Sequence, residues 1–278
     1  MLHSSQHSDG GWGYHDGVPS DSDSTAYVLR FLADSDAPKI DVILSGRRWL
    51  ESWPDLHGGG YSTYPVLAPI LSFMGLPGNF DARGWSSASD EVSAACGDAL
   101  RRCGGDTTRI AHVISYLLNR QRDDGRWRSY WWTTDLYATA LSVALFRSCC
   151  VSDRMTGDLV SAVESAVAWA TEHQHADGSW RDTRSGDATA FATACGLMVV
   201  QTGEAADRAR AWLTRAQRPD GSWDSAPILR IPPPDVTDPT TVTGWRVDAL
   251  GTGVVLCDPD RLFTTATVQL AARQSSVH

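Results

Sequence analysis

The chain has 278 residues, 42% hydrophobic and 21% charged, which is ordinary globular usage and excludes wholesale disorder. Its net charge of −9, from 24 basic and 33 acidic residues, argues against nucleic acid or an anionic membrane surface as an electrostatic partner. Tryptophan is the outlier, with 12 residues against 7 tyrosines and 6 phenylalanines, beside 24 glycines. No apolar run is long enough for a transmembrane segment; the best candidate, Ala188 to Val200, is short and broken by Thr and Gly. The N-terminal MLHSSQHSDGG lacks the charged-then-apolar pattern of a secretory leader. The six cysteines (Cys96, Cys103, Cys149, Cys150, Cys195, Cys257) form no CxxC and no Cys/His pair with metal spacing. They read as reduced thiols of a cytoplasmic protein.

In chain order the elements follow a repeat. Gln6 to Trp12 reads QHSDGGW and leads into Ser24–Ala33, a helix rich in small residues. The amphipathic helix Ile40–Trp53 leads into a degenerate copy, DLHGGGY (Asp55 to Tyr61), then a short insertion at Pro65–Met74 and the small-residue helix Glu91–Arg102. Thr107–Asn119 leads into QRDDGRW (Gln121 to Trp127) and Thr133–Phe146. Leu159–His173 leads into QHADGSW (Gln174 to Trp180) and Ala188–Val200. Ala205–Ala216 leads into QRPDGSW (Gln217 to Trp223) and Thr243–Leu256, and Phe263–Gln274 reads as a last amphipathic helix ending in Gln.

The shared template is Q-x-x-D-G-x-W, and its aromatic ends at 12, 61, 127, 180 and 223 recur about every 50 residues, enough for a helix pair with connections. Small residues let helices crowd together, so the helices after each motif are placed inside and those before it outside. Asp-Gly supplies the turn; the Gln amide is expected to satisfy orphan helix-end groups under the Trp ring. Five inner and five outer helices follow, with the last helix docking beside the first motif to close a ring. The expectation is one all-α domain over 1–278, an (α/α) toroid of about five to six helix pairs.

These repeats resemble the QW motifs of the terpenoid cyclase superfamily, which includes squalene–hopene cyclases and class II diterpene cyclases. The resemblance covers nearly the whole chain and is specific at Gly10–Leu29, GGWGYHDGVPSDSDSTAYVL. That stretch is similar to the family's P-x-D-x-D-D-T-A, with Asp21 at the first Asp, Asp23 at the proton donor, and Thr25 and Ala26 at the Thr and Ala. Ser24 stands where the third Asp would be. The resemblance implies a class II-type terpene cyclase of the isomerase, intramolecular transferase or lyase kind, in which Asp23 protonates a linear prenyl chain and Asp21 and Ser24 tune it. It implies no required cofactor, with Mg²⁺ a candidate only for a diphosphate substrate, and a cytoplasmic location that allows peripheral membrane contact. In hopene-type enzymes a D-V-T-G-H element supplies a supporting His; the comparable DEVSAAC (Asp90–Cys96) has none, and Glu91 is the nearest acid. Those enzymes also have a second helical domain, so here a homodimer or partner protein is a candidate for closing the cavity.

The chemistry can be argued from the residues as well. Two carboxyls two residues apart cannot both ionise cheaply in an apolar pocket, so one keeps its proton. A nascent carbocation then needs π faces and the exclusion of water. The candidate rings are Tyr14, Trp85, Tyr130, Trp131, Trp132, Tyr137, Phe191 and Trp245. Other readings stand beside these. SDSDST is also a good helix N-cap, the aromatic run RSYWWTTDLYATAL (Arg128–Leu141) could be plain helix packing, Asp135 and Asp187 read as caps, and His112 as a core histidine. A non-catalytic toroid binding an isoprenoid or a partner protein is the alternative function. A zinc prenyltransferase relative is disfavoured by the lack of a D-x-C and of a ligand-spaced His, and carbohydrate-active α/α toroids are more remote still.

Overall fold

The computed structural model describes residues 5–53, 58–150, 157–182 and 186–274, apart from the side chains of Cys150 and Gln274. The described helices are α1 (Ser22–Ala33), α2 (Ile40–Glu51), α3 (Leu67–Phe73), α4 (Arg83–Ser86), α5 (Asp90–Arg102), α6 (Thr107–Arg120), α7 (Asp135–Cys150), α8 (Gly157–Glu172), α9 (Ala190–Val200), α10 (Glu204–Ala216) and α11 (Leu262–Gln274). A three-stranded sheet of β1 (Leu229–Ile231), β2 (Arg246–Val247) and β3 (Val254–Leu256) precedes α11, in the order β1-β3-β2. β1 pairs antiparallel and β2 parallel with β3. Among the described residues no helix is long and apolar enough to cross a membrane.

The chain forms two compact units. The first holds the described residues up to Arg120 with Pro233–Asp238; the second holds Gln121–Pro232 and the described residues from Pro239 on. In the first unit α1 packs on α2 and α5, and α5 on α6. In the second, α9 is the hub, touching α7, α8, α10 and α11.

Two burial patterns divide the helices as the sequence suggests. Every residue of α9 is buried, and so is the run Asp90 to Leu100 of α5. By contrast, α2 buries Ile43, Gly46, Trp49 and Leu50, and α10 buries Ala205, Ala206, Ala209 and Leu213, each a single stripe of helical period. Helices buried all round need small side chains where they cross. Those buried on one face need only the stripe.

A repeated hydrogen bond locks each motif to its inner helix. The main-chain N–H of Trp12 donates to Thr25 Oγ1 at 2.9 Å, that of Trp127 to Thr139 at 3.1 Å, and that of Trp180 to Thr193 at 3.1 Å, 12 or 13 residues on. In the degenerate copy Tyr61 donates to Ser93 Oγ at 2.9 Å, so a serine does the same work. Residues 54–57, where that copy begins, lie outside the described residues. The motif glycines take positive φ, and a Cβ on Gly178 would lie 2.4 Å from the main-chain oxygen of Arg208, so the turn needs glycine twice over.

Three expectations are corrected. Thr243–Leu256 is not a helix: Gly244, Gly251 and Gly253 all take positive φ, and Val254 and Val255 enter a strand. The inner position after the fourth motif belongs to α11, because Trp223 N–H donates to Thr265 Oγ1 at 3.4 Å and α11 packs on α9. Phe263–Gln274 is therefore an inner helix, and the described residues hold five inner and four outer helices. Lastly, the Gln amides do not serve the orphan helix ends. Gln6, Gln121 and Gln174 donate to the turn glycine carbonyl and to a carbonyl of the following outer helix (Val42, Ala162, Ala205). The orphan carbonyls at the end of the preceding outer helix are met by aromatic tips: Tyr61 on Leu50, Trp180 on Ala170 and Trp223 on Leu213.

Candidate active site

In the first unit the leading motif delivers two carboxyls to the start of α1. The main-chain N–H of Asp21 donates to the Trp12 carbonyl at 3.0 Å, which fixes where the helix begins. Asp21 is the N-cap and is buried; its carboxylate accepts from Ser24 N–H at 2.6 Å and from Ser24 Oγ at 2.8 Å. Capping and the carboxyl pair thus coexist, with Asp21 serving both. Burial pushes Asp21 up to about 6, against hydrogen bonds from Ser24, Tyr14 N–H and its own first turn that favour the charged form.

Asp23, in the first turn of α1, is pushed up to about 7, by burial first and then by the charge of Asp21, with Arg30 opposing. Its residue surface is only partly covered, but neighbouring atoms surround the carboxyl closely enough for desolvation to lead. The difference between the two acids is the point. Asp21 holds donors that stabilise a carboxylate, and Asp23 meets that carboxylate's charge, so of the two Asp23 holds a proton more tightly.

Neighbours complete the setting. Arg30, two turns along α1, is held by the buried Asp98 of α5 at 2.9 Å, and Asp98 also binds Arg101 and Arg102 at 3.0 and 2.8 Å. Burial works against Asp98, yet these guanidinium groups hold its carboxyl below the usual range. Cys96 of α5 is driven well up by burial and by the charges of Asp23 and Asp21, so it stays a neutral thiol beside them. Tyr64 is likewise driven up, by burial and then by Asp21, and its ring lies 6.0 Å from Trp85. Tyr14 contributes its main-chain N–H, while its ring is 68% exposed. Glu91 is fully buried on α5, and its charge bears on Tyr116. His112 is exposed, not a core residue.

The second unit gathers rings. Trp132 lies 4.3 Å from Tyr137, 5.3 Å from Phe191 and 4.7 Å from Phe263, and Tyr137 and Phe191 stack at 5.6 Å. Tyr130 meets Trp131 edge-on at 4.9 Å, and Trp245 sits apart, in the wall of a small cavity. Asp135 accepts from Ser129 N–H and pairs with Arg126, while Thr189, not Asp187, caps α9. Among the described residues no three His, Cys, Asp or Glu side chains converge as metal ligands.

Sequence reasoning missed Tyr64, Cys96, Arg30, Asp98 and Phe263. One signal could have found Phe263. Counting two residues back from the hydroxyl that receives each motif N–H gives Asp23, Glu91, Tyr137, Phe191 and Phe263. One repeat position therefore carries the acids Asp23 and Glu91 in the first unit and the three rings that pack against Trp132 in the second.

Comparison with known proteins gives the family and the fold. Residues 14–230 match the model of the squalene-hopene cyclase C-terminal domain. The chain is 36% identical over 129 residues to ent-copalyl diphosphate synthase from Streptomyces sp. (strain KO-3988), covering 44% of this chain and 23% of that one. It thus spans under a quarter of that curated relative. A crystal structure of a protein from Actinoplanes is 32% identical with a TM-score of 0.84, covering 99% of this chain and 81% of its own. A variant of the type II terpene cyclase MstE from Scytonema, in complex with its substrate geranylgeranyl dihydroxybenzoate, is 27% identical with a TM-score of 0.84, covering 99% and 78%.

Proposed function

This chain belongs to the squalene-hopene cyclase C-terminal domain family of class II terpene cyclases, and from that premise we propose that it cyclises a linear isoprenoid by proton transfer from Asp23. The observation that carries the reading is the unequal treatment of two adjacent carboxyls. Ser24 donates twice to Asp21, while Asp23 is desolvated, faces Asp21's charge and sits near 7. The Asp23 hydroxyl gives its proton to the terminal alkene, a tertiary cation forms, and successive alkenes of the chain close rings onto it. Loss of a proton or capture of water ends the sequence. Transfer leaves two neighbouring carboxylates, Asp21 and Asp23, and their repulsion favours return of a proton to Asp23 from solvent.

Ser24 fits this role where a third Asp would stand in the family motif. A neutral hydroxyl stabilises the Asp21 carboxylate without adding another negative charge beside it. Proton transfer of this kind uses the chain's own carboxyl; Mg²⁺ enters the proposal only as a counter-ion to a diphosphate head. One relative is named for ent-copalyl diphosphate and another was solved with the substrate geranylgeranyl dihydroxybenzoate, which supports a linear isoprenoid with a polar head as the substrate class proposed here. Trp132, Tyr137 and Phe191 are proposed as aromatic groups suited to stabilising a cation, with Trp85, Tyr130, Trp131, Trp245 and the exposed Tyr14 as lesser candidates.

Turnover should fall about tenfold per pH unit above about 7, as Asp23 loses its proton. Asp23→Asn, incubated with linear prenyl diphosphates and prenylated benzoates, should lose roughly 10²–10⁴-fold in cyclic product. Wild-type levels of product from that variant would remove Asp23 from the mechanism.

A further inference from the structure

Arg30 follows Asp23 by seven residues of α1, close to two full turns. Both therefore lie on one face of the helix, about 10 Å apart along its axis. Long helical side chains lean toward the N-terminus, which turns the Arg30 guanidinium back toward the acid. The guanidinium carbon lies 5.2 Å from the ring centre of Tyr27, the residue between the two on that face. The lean is present in the structure.

That guanidinium is held without losing its charge. Its Nε donates to Asp98 of α5 at 2.9 Å, and its side chain is only 15% exposed. Asp98 is shared with Arg101 at 3.0 Å and Arg102 at 2.8 Å, and Arg102 also meets Asp34 at 2.7 Å. Three guanidinium groups thus stand against two carboxylates, and one positive charge is left over. Other charges on the helices packed against α1 bear on other groups. Arg47 of α2 pairs with Glu51 and reaches the Cys103 and Gly104 carbonyls, while Asp41 and Arg48 are exposed. On α5, Asp90 pairs with Arg120, and Glu91 bears on Tyr116. Cys96 and Tyr64 stay neutral beside the acid, so the charges acting on Asp23 are those of Asp21 and Arg30, with opposite sign.

We infer that Arg30 is a positioning residue for Asp23: braced by Asp98, it stabilises the carboxylate that proton transfer leaves and so strengthens the acid. A desolvated carboxylic acid keeps its proton readily but gives it up reluctantly, and an alkene is a weak base. Asp21 helps to keep the proton in place. A fixed cation two turns away lowers the cost of losing it. The inference rests on the proton-transfer reading for turnover, and on the geometry alone for the titration of Asp23.

The test is a carboxyl-carbon NMR titration of Asp23 in the intact chain, its signal identified by its absence from Asp23→Asn. Arg30→Gln keeps a donor for Asp98 and removes the charge, and Asp98 retains Arg101 and Arg102. The Asp23 midpoint should rise by about half to one pH unit in that variant. In Arg30→Lys, which keeps the charge, it should stay within about 0.3 pH unit of wild type. Arg30→Met repeats the test without the donor. On the acid side of the profile, turnover of a linear prenyl diphosphate by the neutral variants should fall about three- to tenfold at unchanged KM. A brace alone predicts lost stability without a moved titration. An unmoved midpoint in the neutral variants, an equal rise in Arg30→Lys, or failure of both neutral variants to fold would overturn the inference. The two readings separate. A midpoint that rises in a chain forming no cyclic product keeps this inference and loses the proton-transfer reading. An unmoved midpoint in a chain that Asp23→Asn inactivates does the reverse.

Discussion

The two units use one local structure to carry opposite chemistry. At the start of α1, Asp21 caps the helix through Ser24 N–H and Thr25 receives the Trp12 N–H; at the start of α9, Thr189 caps through Ala192 N–H and Thr193 receives the Trp180 N–H. Cap and hydroxyl stand at the same spacing. The residue between them is Asp23 in one unit and Phe191 in the other. The frame of motif, cap and hydroxyl fixes where that side chain goes, and the residue type then decides whether the position holds a proton or a π face. The lesson is that stability in this repeat resides in positions indifferent to function, so the functional position is free to vary.

The most severe test of that equivalence is the motif glycine. Gly178→Ala should cost about 2–5 kcal/mol, from positive φ plus collision with the Arg208 main chain, and Gly10→Ala should cost a comparable amount against Ser45. Urea unfolding of both variants would show it; a tolerated substitution in only one unit would break the comparison.

Asp23→Asn should then separate the units. Its folded value near 7 lies above the unfolded 3.8, so the folded state binds the proton more tightly. Asp23 therefore supports folding fully below about pH 4, and that support is lost as pH rises through about 7. Asparagine avoids the loss, and the variant should gain about 2–4 kcal/mol over wild type at about pH 8 while gaining little at about pH 4. Phe191→Leu should show no such pH dependence. Melting curves across that range would decide between these outcomes.

Thr25→Val and Thr193→Val should each cost about 1–3 kcal/mol, since each strands a buried main-chain N–H. Equal losses in chemical denaturation support a common frame; a loss confined to one unit argues against it. The smallest effect belongs to Ser24→Ala. Removing the hydroxyl from Asp21 weakens that carboxylate's hold on its charge, and the alkaline limb of the pH–turnover profile should move down by less than about one unit. A limb that moves upward would contradict the assigned roles of the two acids.

Much of this was legible in the sequence. The Q-x-x-D-G-x-W spacing located four of the five inner helices and all four outer ones within a few residues, because periodicity and turn chemistry act locally. The all-α toroid fold class of the terpene cyclases followed from the same repeats, and the family matches agree. Thr243–Leu256 was misread because its Val and Leu residues suit a helix stripe until the three glycines at positive φ are weighed. That error displaced α11 to the outer layer and hid Phe263. The carboxyl pair could be named from its pattern and its division of labour from the family resemblance, but not the physical cause, the Ser24 side chain turning back to Asp21. Arg30, Asp98 and Cys96 come from helices far apart in sequence, and no local signal joins them.

The central claim is that the proton on Asp23 enters the product. Turnover of a linear prenyl diphosphate or prenylated benzoate by the wild-type chain in D₂O, read by NMR of the cyclic product, tests it most directly. The account predicts one solvent deuterium on the ring methylene carbon next to the gem-dimethyl carbon, and cyclic product from Asp23→Asn reduced at least about 10²-fold. Cyclic product without that deuterium, or with it at equal yield from the variant, would contradict it.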